Sequence, residues 1–142
     1  METKTEQPII ADSSGIISLA TKTDQNHAIA TKAAERLRQT SRPIILPVDV
    51  LVETVNVLGK KSGHQTAMKT ATELLMPGSP YILIDTRPYL ISSLGKFDVA
   101  PQAVSLTDCI VMTVADEWGT KEIFGFDKQF QDAGYIRLEP AR

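Results

Sequence analysis

The stretch PIIADSSGIIS, residues 8–18, holds the pattern that decides the fold. Its apolar run IIA is typical of a short buried strand, and the run stops at the carboxylate of Asp12. Two serines and a glycine follow before the chain turns apolar again, which is typical of a turn between a strand and a helix. Asp12 is therefore either the N-cap of that helix or part of a metal or phosphate site.

The composition is that of an ordinary globular protein. The chain has 142 residues, 42% of them hydrophobic, which fits one domain with a real core. No apolar run approaches the roughly 20 residues of a membrane helix, and the polar start METKTEQ is unlike a signal peptide. The one cysteine, Cys109, fits a reducing compartment. We expect a cytoplasmic protein with a polar tail at residues 1–7 and a single domain at residues 8–142.

Short apolar strands alternate with longer helical patterns along the chain. Strands are predicted at residues 9–12, 43–47, 81–84, 122–126 and 135–138. Helices are predicted at residues 14–20, 26–40, 47–58 with Gly59 as the stop, 63–75, 89–94 and 105–118. This alternation indicates an α/β fold of three layers, in which helices cover both faces of a central, mainly parallel sheet.

Four acids stand where a parallel sheet can bring them to one edge. Asp12 and Asp127 directly follow predicted strands, Glu53 lies in the second turn of a helix, and Asp108 lies in the first turn of another. Ligands bind at the carboxyl ends of parallel strands, and converging carboxylates repel one another unless divalent cations bind them. Magnesium and manganese prefer such oxygen ligands. One or two such ions would support phosphodiester hydrolysis.

Each of these acids also has a purely structural explanation. Asp12 and Asp127 can cap the helical turns that follow them. Asp108 can favour the helix dipole, and with Ser105 three residues earlier it comes close to a capping box. Glu53 can be a solvated helix residue.

The order and spacing of the acids resemble the PIN-domain nucleases, in particular the VapC-type toxins of toxin–antitoxin pairs. The matching segments, within roughly residues 8–138, are IIADSSGIISLA, ILPVDVLVETVNVL and SLTDCIVMTVADEWGTKEIFGFDKQF. The residues that match the four family motifs are Asp12 with Ser14, Glu53, Asp108 with Cys109, and Asp127 with Phe130.

The resemblance implies a PIN-like fold and an endoribonuclease that depends on Mg²⁺ or Mn²⁺. Asp12, Glu53, Asp108 and Asp127 would be the catalytic and metal-binding set, and Ser14 would orient Asp12 or a metal-bound water. The resemblance also implies a homodimer and a small antitoxin protein that blocks the site. Solitary RNA-processing nucleases and inactive binding modules share the fold, and they remain the alternatives.

Three features depart from the family pattern or leave a choice open. Gly125 stands two residues before the last Asp, where the family often has Thr or Ser, and the missing hydroxyl favours the inactive module. Cys109 replaces the more usual alanine and is expected to be a small buried hydrophobe. Asp116 and Asp132 are further acids that can join the site or lie on the surface.

The net charge of −2 gives no overall nucleic-acid footprint. If the acids surround metal ions, however, the rest of the molecule is net positive. The residues that would then contact RNA phosphates are Lys60, Lys61, Arg87 and Lys128.

Rival sites fit less well. The metal site of integrin-type domains needs a second serine where position 16 is Ile, and a haloacid-type phosphatase needs an Asp where position 14 is Ser. A receiver domain needs an acidic pair after the first strand, where only Asp12 is found. There is no GxxxxGK[ST] or GxGxxG phosphate loop.

Overall fold

The computed structural model describes residues 7–78 and 80–142, so most of the expected polar tail lies outside the described residues. The elements, in chain order, are β1 (Ile9–Ala11), α1 (Ser13–Ala20), α2 (His27–Gln39), β2 (Ile44–Pro47), α3 (Val48–Ser62), α4 (His64–Leu75), β3 (Tyr81–Leu83), α5 (Arg87–Val99), α6 (Leu106–Glu117), β4 (Ile123–Phe124) and α7 (Lys128–Asp132). In the part of the chain that is described, no helix is long and apolar enough to cross a membrane.

The four strands form one parallel sheet in the order β3-β2-β1-β4. In β1, Ile10 pairs with Ile45 of β2 on one side and with Ile123 of β4 on the other. The carboxyl ends of β1 and β4 therefore lie side by side. This register brings the residues that follow these two strands to the same edge of the sheet.

Apolar side chains pack against both faces of the sheet. Ile10 belongs to the larger core with residues of α3, α6 and α7, whereas Ile9 packs with Ala30 and Leu37 of α2 and with Phe124. Successive strand residues point to opposite faces, so one short apolar strand can supply both cores. The predicted three-layer α/β fold is confirmed.

Gly59 does not end α3, contrary to the prediction. The helix continues to Ser62, and Gly63, with a φ of 91°, ends it in a conformation that favours glycine. Gly59 lies inside the helix against α4, where a Cβ would come within 3.1 Å of the His64 ring. Its small size therefore serves packing between the two helices.

The predicted last strand, residues 135–138, is wrong as a strand. Only one parallel bridge forms there, between Glu122 and Ile136. The segment nevertheless runs beside β4, because the Ile123 N–H donates to the Ile136 carbonyl and the Leu138 N–H donates to the Gly125 carbonyl, both at 2.8 Å. Cys109 is fully buried, as predicted for a small hydrophobe.

Candidate metal centre

Asp12 lies at the carboxyl end of β1 and is 1% exposed. Its backbone N–H donates to the carbonyl of Phe124 at 3.0 Å. Its Oδ2 accepts two hydrogen bonds from Ser14, from the backbone N–H at 3.2 Å and from the hydroxyl at 2.7 Å. The other oxygen, Oδ1, is buried without a hydrogen-bond partner. Asp12 is thus the N-cap of α1, and it also keeps one buried oxygen available for a ligand.

The Ser14 hydroxyl connects the ends of β1 and β4. Besides donating to Asp12, it accepts a hydrogen bond from the backbone N–H of Phe126 at 3.0 Å. A Cβ at Gly125 would lie 2.9 Å from the Asp12 Cβ and 3.0 Å from the Ser14 Oγ. There is no room for a side chain at this position, because Asp12 and Ser14 already occupy it.

Asp108 is held by two different elements. The capping box with Ser105 forms: the Ser105 N–H donates to Asp108 Oδ2 at 2.9 Å, and the Asp108 N–H donates to the Ser105 Oγ at 3.1 Å. In addition, the Gln129 amide of α7 donates to the same Oδ2 at 2.6 Å. All of these contacts leave Asp108 Oδ1 uncommitted. Sequence reasoning missed Gln129, since nothing in the local pattern indicates a contact across 21 residues.

Asp127 and Glu53 complete the group of predicted acids. Asp127 is the N-cap residue of α7, but its side chain makes no capping hydrogen bond. Burial raises the pKa of Asp127, the charges of Asp108 and Glu53 raise it further, and Arg137 opposes them. Arg137 also donates to the Phe126 carbonyl at 2.6 Å. The charge of Glu53 therefore acts on Asp127, and Arg137 is a cation at the site that sequence reasoning missed.

The electrostatics of Asp12 are those of a buried, crowded carboxylate. Burial raises its pKa from 3.8 to about 7, against the opposing effect of the Ser14 hydrogen bonds. The charges of Asp127 and Asp108 add to the increase. The fold thus brings the three aspartates within electrostatic range of one another, and the charge of Glu53 acts on Asp127.

These acids do not form a closed ligand shell as they stand. In residues 7–78 and 80–142, no group of three or more His, Cys, Asp or Glu side chains is arranged so that it could hold a metal ion. The donor chemistry nevertheless fits a hard divalent cation, because the available ligand atoms are carboxylate oxygens. The buried Asp12 Oδ1 is the clearest of them.

The two further acids lie outside this cluster. Asp116 forms an ion pair with Lys96 at 2.9 Å and accepts a hydrogen bond from the Tyr135 hydroxyl at 2.8 Å. Asp132, at the end of α7, lines a separate cavity.

The predicted phosphate-contacting cations differ in their availability. Lys60 and Lys61 are exposed in the last turn of α3. Lys128 is exposed directly beside Asp127 and, among the described residues, forms no ion pair. Arg87 is already paired with Asp85 at 2.9 Å. Of the predicted cations, Lys128 is therefore the one that directly follows an acid of the cluster and is free of an ion pair in the described part of the chain.

A family model establishes the class of this protein. The PIN domain model matches residues 9–135, so the chain belongs to the PIN-domain family, as its motifs predicted.

The fold also matches a solved structure of a VapC protein. The crystal structure of Mycobacterium tuberculosis VapC20, described as a sarcin–ricin loop cleaving toxin, superposes with a TM-score of 0.76 at 21% sequence identity. The match covers 90% of this chain and 96% of VapC20. A comparison with curated protein sequences found no match.

Proposed function

We propose that this protein is a metal-dependent endoribonuclease that hydrolyses RNA phosphodiester bonds. The observation that carries the proposal is the buried Asp12 Oδ1, which has no hydrogen-bond partner and lies in a group with Asp108 and Asp127. A buried carboxylate oxygen without a partner is costly. A divalent cation would supply that partner and would offset the repulsion among the acids.

In this proposal Asp12, Glu53, Asp108 and Asp127 are the metal ligands. The chemistry that Mg²⁺ or Mn²⁺ supplies is activation of a water molecule and stabilisation of the leaving oxygen. We expect the carboxylates to move closer together as a cation binds, because their mutual repulsion is then relieved.

The surrounding residues hold these ligands in position. Ser14 fixes one oxygen of Asp12, and Ser105 together with Gln129 fixes one oxygen of Asp108. In both aspartates the second oxygen is left for the ion, which is the pattern that supporting hydrogen bonds produce around metal ligands.

Lys128 is proposed to contact the phosphate backbone of RNA close to the acids. Lys60 and Lys61, at the end of α3, would contribute further along the strand. Arg87 would first have to release Asp85, so we expect it to contribute less.

We further propose that the protein is the toxin of a type II toxin–antitoxin pair. PIN-family membership and the fold shared with VapC20 support this assignment. This assignment implies a cytoplasmic location, a homodimer and a small antitoxin protein that blocks the acid cluster.

The alternative of an inactive binding module loses its one sequence argument. Gly125 is required by the packing of Asp12 and Ser14, so the missing hydroxyl at this position needs no loss of activity to explain it. The Ser14 hydroxyl lies there instead.

Manganese binding measured by calorimetry tests the metal site. We expect the wild type to bind and both Asp12→Asn and Asp108→Asn to lose most of the affinity. Asp98→Asn is the matched control, since Asp98 is exposed in α5. RNA cleavage by the same four proteins should follow their manganese affinities. Absence of binding at millimolar manganese would contradict the proposal, and cleavage in EDTA would reject its metal dependence.

A further inference from the structure

A cavity of about 490 Å³ lies beside the acid cluster. It is open to solvent and is lined by the end of α5, the segment 100–104, α6 and α7. Its lining is mainly apolar and includes Val99, Val104 and Met112. Val99 is 82% exposed, so this apolar wall lacks a cover in the described part of the chain. A volume of this order is typical of a site for a small organic ligand.

The polar groups of the cavity are concentrated on the side of α7. Lys128, Gln129 and Asp132 line it there, and Lys96 lines it from α5. Lys96 is held by its ion pair with Asp116, whereas Lys128 is exposed and, of the residues described, has no acidic partner. Lys128 can therefore bind an anion at the rim without breaking an ion pair.

One hydrogen bond and one step along the chain connect this cavity to the acid cluster. Gln129, which lines the cavity, donates to Asp108 Oδ2 at 2.6 Å. Lys128 directly follows Asp127. The α7 segment that lines the cavity therefore begins directly after one of the acids and contacts another.

We infer that this cavity binds one nucleoside of the RNA substrate, next to the phosphate that is cleaved. The base would enter the apolar part, and a flanking phosphate would lie on Lys128. Charge complementarity supports this occupant, because Lys128, an exposed cation without an ion pair among the described residues, lines the cavity and directly follows Asp127. The inference rests on the proposed function, since it places the nucleoside relative to the scissile bond.

Asp132 adds a preference among the bases. A carboxylate accepts hydrogen bonds from the amino group of cytosine but finds no donor at the same position of uracil, which carries a carbonyl there. We therefore expect the cavity to bind cytidine more tightly than uridine. Asp132→Asn should reduce this difference, because an amide can also donate.

The test is an NMR titration of the ¹⁵N-labelled full chain, in EDTA, with cytidine 5′-monophosphate and with uridine 5′-monophosphate. We expect shifts in the backbone amides of residues 128–133 and tighter binding of the cytidine nucleotide. Ala133→Phe fills the cavity from an exposed position. It should weaken binding about tenfold or more, because the phenyl ring would occupy the space that the base needs. Ala28→Phe, at an exposed position of α2, is the matched control and should bind as the wild type does.

Several outcomes would overturn the inference. The first is that the nucleotides shift backbone amides outside residues 128–133. The second is that inorganic phosphate alone shifts the amides of residues 128–133 to the same extent. The third is that Ala28→Phe and Ala133→Phe weaken nucleotide binding equally. Cleavage of RNA by the wild type is measured in parallel. If RNA is cleaved but neither nucleotide shifts the amide resonances of residues 128–133, the inference fails and the proposed function stands. If the nucleotides bind there but no RNA is cleaved with manganese present, the proposed function fails and the nucleotide site stands.

Discussion

Replacing Asp12 by Asn should stabilise the metal-free protein at neutral and alkaline pH. Asp12 is buried, one of its oxygens has no partner, and two other aspartates act on it electrostatically. Asparagine keeps an oxygen that can accept the two hydrogen bonds from Ser14, but it carries no charge. The substitution therefore removes the cost of ionising a group at this position.

The magnitude follows from the pKa of Asp12, which burial raises from 3.8 to about 7. Because one pKa unit corresponds to about 1.4 kcal/mol, the ionised form destabilises the fold by about 4 kcal/mol. The folded state holds this proton more tightly than the unfolded state. The stabilising contribution is thus complete below the ordinary pKa and is lost as the pH rises through about 7. Between pH 5 and pH 8 the loss amounts to roughly 2–3 kcal/mol.

Urea unfolding in EDTA at pH 5 and at pH 8 measures this effect. The free energy of unfolding of the wild type should fall relative to that of Asp12→Asn by roughly 2–3 kcal/mol over the interval. The free energy of unfolding of Asp98→Asn, which changes an exposed position, should change between pH 5 and pH 8 as that of the wild type does. With manganese at pH 8, the wild type should gain stability by mass action and Asp12→Asn should not.

The reasoning would be refuted if Asp12→Asn and the wild type lost stability in parallel between pH 5 and pH 8. It would equally fail if manganese stabilised both proteins to the same extent. The first result would mean that Asp12 is not protonated in the metal-free protein, and the second would mean that Asp12 is not a ligand of the ion.

Two further substitutions test the residues around the aspartates. Gly125→Ser restores the hydroxyl that the family often carries. It should nevertheless destabilise the protein by roughly 1–3 kcal/mol and weaken manganese binding, because its Cβ would lie 2.9 Å from that of Asp12. An unchanged free energy of unfolding in urea would show that the position has room for a side chain. Gln129→Leu should lower manganese affinity roughly 10–100-fold in calorimetry with only a small change in stability, since Asp108 keeps its capping box. The exposed Gln65→Leu in α4 is its control, and equal affinities would show that Gln129 does not position Asp108.

Local patterns account for the parts of the site that sequence predicted well. The capping box of α6 joins residues three apart, and the N-cap of α1 joins residues two apart. Interactions over such short distances depend on backbone geometry that residue types largely dictate. The prediction at Gly59 was wrong because the local preference of glycine for helix ends was outweighed by packing against α4.

Sequence by itself determined the alternation of strands and helices, the three-layer fold and the acids that follow the strands. Only the tertiary structure decided how those acids are held, because the deciding contacts join residues far apart in the chain. Ser14 meets Phe126 across 112 residues, and Gln129 meets Asp108 across 21. The same holds for Gly125, whose lack of a side chain looked like a missing hydroxyl until Asp12 and Ser14 were seen to fill its place. Hydrophobic periodicity predicts which residues are buried, but it does not predict which partners a buried polar group contacts.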